Sequence, residues 1–136
     1  MMNKNFLILF FLWTGFFNLA YTQNLKLIDT ISAEMAASKV GEEVMIKAKV
    51  VTVFFAKNST GKPTFLNLVK PFPDNPIAII IFENELKKLN INAVEYVEKT
   101  VIVKGIVKYY KDEEKPYKNK ASITIYDKKQ LVVFSQ

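Results

Sequence analysis

Residues 43–55, EVMIKAKVVTVFF, constrain this chain more than any other stretch. Val44, Ile46, Ala48 and Val50 alternate with Met45, Lys47 and Lys49, the period of two of a strand with one buried face and one basic face. At Val50-Val51 the alternation slips by one residue, and Val51, Val53 and Phe55 carry the apolar phase onward. A slip of this kind inside a long strand predicts a bulge, the device that bends a strand from one sheet layer into another.

The rest of the pattern is built around that strand. Lys57–Pro63 (KNSTGKP) reads as a turn, which makes Thr64–Lys70 a hairpin partner with Leu66 and Leu68 inward and Phe65, Asn67 and Val69 outward. The prolines of KPFPDNP, residues 70–76, fit a rigid exit in which their missing N–H groups disturb no central ladder. Ile77–Phe82 is a continuous apolar run, expected of a central strand covered on both sides. Asn84–Leu89 reads as a short helix, and residues 90–98 as a less regular connection. Val101–Tyr110 is a long strand with Val101, Val103, Val107 and Tyr109 in one phase. Gly105 shares that phase at a point where a tight barrel needs no side chain. A charged loop over 111–120 precedes a strand at Ala121–Tyr126, with Ile123 and Ile125 inward, and a last short strand at Leu131–Phe134. Upstream, Ile31–Ala37 has helical composition, with Thr30 or Ser32 as its cap and Gly41 as its end. Five principal strands, with a helix between the third and fourth, predict an all-β domain with small helices: a five-stranded OB barrel preceded by a short helix. A β-sandwich is the rival, but it would want more strands.

The first 22 residues stand apart from this domain. Lys4 precedes the twelve-residue apolar run Phe6–Phe17, and Ala20 and Thr22 provide small residues before a cut ahead of Gln23. That layout predicts a cleavable signal peptide over 1–22, an uncleaved anchor being the alternative, and a single domain over 23–136 in a secreted or periplasmic protein. The chain has no cysteine, so the fold must stand on packing without disulfides. It has no histidine, so the usual general base and the usual metal ligand are both missing. The carboxylates Glu83, Glu85 and Asp112–Glu114 lack a recognisable acid–base or metal spacing. No enzyme activity, metal or cofactor is therefore expected. All nineteen basic residues are lysine and the formal charge is +6, or +5 without Lys4. Lysine lacks the planar fork of arginine, so polyanion binding by this chain should be sequence-tolerant.

Several segments together resemble a known group. These are Val40–Val44, Val50–Val53, Thr64–Leu68 with its proline-containing exit, Lys99–Tyr109 and Gln130–Val133. They are similar to exported bacterial OB-fold domains related to nucleic-acid-binding modules. More distantly, they are similar to the anticodon-binding domains of class II aminoacyl-tRNA synthetases. The resemblance spans roughly residues 31–134. It departs from the group's pattern at Glu98-Lys99, where Gly-Lys is usual, and after Tyr109, where a short turn is replaced by a longer loop. It implies that an aromatic at Phe65 stacks on a base.

The outward face of the second and third strands is the usual binding surface of an OB barrel. Lys47, Lys49, Lys57, Lys62 and Lys70 fall on or beside it by parity and connectivity. Together with Phe65, Asn67, Tyr109, Tyr110 and Tyr117 they form a candidate surface for single-stranded nucleic acid, combining phosphate neutralisation with base stacking. Phe65 has a second reading, in which it packs under the Pro71-Phe72-Pro73 segment or the first loop. Lysines on an outer face also serve to prevent edge-to-edge association. The loop over 108–120, with tyrosines and Asp112–Glu114 among its lysines, suits a protein partner instead, another envelope or secreted protein. The mature form is not expected to bind membrane. Asn58-Ser59-Thr60 fits a glycosylation sequon, a short and weakly specific motif.

Overall fold

The computed structural model describes residues 29–110 and 120–136. The signal-peptide expectation for 1–22, Tyr117 and the acidic triplet Asp112–Glu114 lie outside the described residues.

A short strand, β1 (Thr30–Ile31), leads into a 3₁₀ helix at Ala33–Lys39 that buries Ala33 and Ala36. This is the helix expected at 31–37, displaced by two residues. The long strand β2 (Glu43–Phe55) follows, with Val44, Ile46, Ala48 and Val50 all buried. Its register shifts between Val50 and Thr52, at the predicted bulge. Before the shift β2 pairs antiparallel with β5 (Thr100–Ile106), from Glu43↔Ile106 to Lys49↔Thr100. After it β2 pairs with β3 (Thr64–Leu68), from Thr52↔Asn67 to Phe55↔Thr64. One bent strand thus belongs to two layers. β3 ends at Leu68 rather than Lys70, because Val69 turns to φ +69° and donates its N–H to the Lys49 carbonyl at 2.9 Å.

β4 (Ala78–Ile81) pairs antiparallel with β3 and parallel with β7 (Ala121–Thr124). As its unbroken apolar run implies, β4 is covered on both sides. Ile79 and Ile81 enter the main core, while Ala78 and Ile80 enter a second, smaller one. The helix between the third and fourth principal strands is α1 (Glu83–Lys88). A further 3₁₀ turn at Ala93–Tyr96 leads into β5. Burial, and secondarily the neighbouring Glu95 carboxylate, raises the Tyr96 phenol above its ordinary value. No helix among the described residues is long and apolar enough to cross a membrane.

The long fourth strand is interrupted at Val107. Beyond it, β6 (Lys108–Tyr109) pairs with β7, and β8 (Leu131–Val133) pairs with β5. The order around the sheet is β6-β7-β4-β3-β2-β5-β8, with β1 beside β2. No ladder among the described residues joins β5 to β7, so hydrogen bonding does not close the barrel completely. Two devices hold that seam. Gly105 lets β5 lie against Ile123: a Cβ built on the glycine would stand 2.5 Å from Ile123 Cγ2. The Gln130 side chain then substitutes for the missing rungs. Its Nε2 donates to the carbonyls of Lys104 on β5 (3.1 Å) and Thr124 on β7 (3.3 Å), while its Oε1 accepts from the N–H groups of Tyr126 and Asp127.

Candidate functional site

The hairpin register decides what the outward face of the sheet carries. Thr52 stands opposite Asn67 and Phe54 opposite Phe65, with Ala78 and Ile80 on the other flank of the same two residues. Strand alternation places all six on the side away from the main core. Phe65, Ala78 and Ile80 make up the second core, with Ala56, Phe72, Phe82 and Tyr110 packed against it. The Phe65 ring meets Tyr110 edge-on with centroids 5.2 Å apart, and meets Phe54 at 6.3 Å with the planes tilted by 34°. Such pairs add about 0.5–1.5 kcal/mol to the burial itself.

The expectation of an exposed Phe65 and Asn67 is corrected here. Their outward direction holds, but Phe65 is 1% exposed and Asn67 2%. The proline-rich exit folds back over them, as the second reading of Phe65 has it. Asn67 pins that exit in place. Its Nδ2 donates to Thr52 Oγ1 at 3.0 Å, and its Oδ1 accepts from Asn75 Nδ2 at 3.2 Å. A buried amide stays folded only when its polar atoms are paired, and this pairing ties β2, β3 and the loop together. Asn75 Oδ1, also buried, has no hydrogen-bond partner among the described residues. Lys120, the residue before β7, holds the same loop by donating from its Nζ to the Pro73 carbonyl.

Phe65 lines a cavity of about 740 Å³ at the hairpin end of this face. Phe54, Phe55, Phe72 and Tyr110 supply further rings to its wall, and Thr52, Lys57, Asn58, Ser59 and Asn67 its polar part. Phe54 and Phe55 are the rings most open to solvent, at 47% and 43%. The turn between β2 and β3 sets the rim. Ala56 N–H bonds the Pro63 carbonyl and Lys62 N–H the Ser59 carbonyl, both at 2.9 Å. Gly61 takes φ +72° where a Cβ would lie 2.8 Å from the Phe82 ring, so the turn closes tightly on the second core.

The lysines expected on this face do not converge. Lys57 lines the cavity, and Lys70 is exposed beside Pro71, which also lines it. Lys49 is paired with Glu98, and Lys62 lies 3.6 Å from Glu83. Lys47 is turned toward the β5–β8 side, its nitrogen 3.4 Å over the Phe134 ring. Strand parity assigns these lysines a face, but the fold brings Glu98, Glu83 and the Phe134 ring beside three of them. Tyr110 lines the cavity, whereas Tyr109 is exposed on β6 outside it. Phe54, Phe55 and Phe72 were not foreseen as site residues. The Phe54↔Phe65 register is the signal that would have found the first of them, whereas Phe55, opposite Thr64, is in the other strand phase. A second groove of about 490 Å³ lies at the seam, where Lys104 is already 3.6 Å from Glu43. Among the described residues no cluster of three or more carboxylates is placed to hold a metal ion.

No known family model and no curated protein sequence matches the chain. Solved structures do match it. One is a Leishmania major Friedlin protein assigned as an aspartyl-tRNA synthetase, at 15% identity and TM-score 0.50, over 85% of this chain and 22% of that one. Another is the asparaginyl-tRNA synthetase of Entamoeba histolytica, at 16% identity and TM-score 0.50, over 81% of this chain and 24% of that one. The chain carries an OB fold. It spans only about a quarter of the length of these synthetases. At such identities the likeness concerns the fold, and function has to be argued from the site.

Proposed function

We propose that this protein is a non-enzymatic OB-fold binding protein, exported by residues 1–22, whose ligand is single-stranded nucleic acid. The observation that carries the reading is the ring-lined cavity on the outward face of β2 and β3, with Lys57 in its wall. The solvent-open Phe54 and Phe55, rather than Phe65, are the rings that stack on a base. Each such contact contributes about 1–3 kcal/mol and tolerates any base. Lys57 neutralises phosphate, which makes the affinity fall as salt rises.

Salt-titrated binding to single-stranded DNA and RNA, with an uncharged sugar polymer as control, tests this reading. Phe55→Ala is expected to weaken binding by roughly 5- to 150-fold while leaving the thermal melt nearly unchanged, because Phe55 is largely outside the core. Binding that ignores salt and survives Phe55→Ala would remove the idea. Export is checked by the intact mass of the protein recovered outside the cytoplasm, which should begin at Gln23.

A protein partner from the envelope or the extracellular space is the second reading. It is favoured by the cavity wall itself, which is chiefly apolar and carries Lys57 as its lysine. Deleting residues 111–118 should then abolish partner pull-down while sparing any nucleic-acid binding, and a pull-down that survives the deletion counts against it.

A further inference from the structure

The arrangement of rings and cations also limits how much ligand the site takes. Resting on the nucleic-acid reading above, we infer that the cavity accepts a nucleotide-sized segment, one base with one or two phosphates, and does not track a continuous strand across the sheet.

Three observations converge on that limit. The rings are gathered at one end of the outward face. Farther along, the row Thr52, Asn67, Ala78 and Ser122 offers no aromatic platform, and Asn67 is covered and engaged with Thr52 and Asn75. A cavity of about 740 Å³ is the size of a small-ligand site, which typically holds roughly 300–1,000 Å³. Among the described residues, Lys57 stands in the wall and Lys70 beside Pro71, Lys108 lies past Ser122 at the far end of that row, and Lys47, Lys49 and Lys62 are directed to Phe134, Glu98 and Glu83.

Each neutralised phosphate of a single strand contributes about −0.7 to the slope of log affinity against log salt. Two lysines therefore set a slope between about −0.7 and −1.4, whereas a strand engaging all five would give about −3.5. Base preference at such a site follows stacking area, so purines are favoured over pyrimidines. With the Asn67 amide covered and arginine absent, the exposed Asn58 is the amide of the cavity wall that can meet a base edge.

The test is a length series of oligodeoxyadenylates, from the mononucleotide to about a dozen nucleotides, spanning much of the ~4–16 nucleotides of ordinary OB sites. Binding is followed at several salt concentrations by chemical-shift perturbation of the protein. Affinity, corrected for the number of binding registers, should stop rising by about two nucleotides, with a slope no steeper than about −1.4. Lys57→Gln should remove about 0.7 from that slope. Affinity that keeps climbing tenfold or more through longer oligomers, with a slope near −3.5, would overturn the inference and leave the nucleic-acid reading standing. Failure of every length to bind at low salt would overturn both.

Discussion

Gly105→Val is expected to lower the stability of this domain by about 3 kcal/mol or more, at or above the upper end of what overpacking a core costs. Among the described residues the seam between β5 and β7 has no ladder of its own, so close contact of Gly105 with Ile123 has to bring the two strands together. Even the first added carbon would stand 2.5 Å from Ile123 Cγ2 and 3.2 Å from Gln130 Nε2. Ile123 is fully buried, and its Cγ2 is fixed one bond from the branch, so it cannot swing away as the tip of a long side chain would. Relief by separating the strands would break the bonds from Gln130 to Lys104 and Thr124. Thermal melts should show a Tm lower by roughly 10–20 °C. Gly105→Ala should show a smaller loss of about 1–3 kcal/mol. Combined with Ile123→Ala, which removes the opposing methyl, Gly105→Ala should cost at least about 1 kcal/mol less than the sum of the single changes. Strict additivity in that cycle would show that the two residues do not meet.

Phe65→Ala is expected to cost about 3–5 kcal/mol, the range for emptying a buried phenylalanine site. The ring is the centre of the second core, touching Tyr110 and Phe54 and lying among Ala78, Ile80 and Phe72. Its removal leaves the proline-rich exit without the surface it folds onto. Urea denaturation should show a lower midpoint with a slope near the parent value, the sign of a less stable but still cooperative fold. If stability were instead unchanged, the second core would not be packed as described. The same result bears on function. Loss of ligand binding in Phe65→Ala is not by itself a sign of stacking, because the cavity wall falls with its floor. Phe55→Ala separates the two, since Phe55 lies in the wall and is largely outside both cores.

Much of the architecture follows from local pattern. The alternation over Val44–Val50 fixes which face of β2 is buried, and the slip at Val50-Val51 is the bulge by which β2 serves β5 and then β3. The unbroken run at Ile77–Phe82 marks a strand buried on both faces, and Gly105 marks a contact too close for a side chain. These features are readable because strand periodicity is a property of neighbouring residues, and because a glycine in an apolar phase records a steric demand. The split of the fourth strand at Val107 and the role of Gln130 at the open seam leave no such trace. They arise from residues far apart in sequence.

The candidate site divides along the same line. By itself the sequence determined that Phe65 and Asn67 leave the main core, that lysine is the only strong cation, and that no histidine or cysteine chemistry is available. Only the tertiary structure decided that the exit at 70–76 returns over Phe65 and that Asn67 is held by Thr52 and Asn75. It also decided that Lys47, Lys49 and Lys62 turn to partners, leaving Phe54 and Phe55 as the solvent-open rings of the cavity. The reason is physical. Parity along a strand fixes the direction in which a side chain leaves the backbone, but what covers it there depends on which distant segments gain more by packing on it than by facing water.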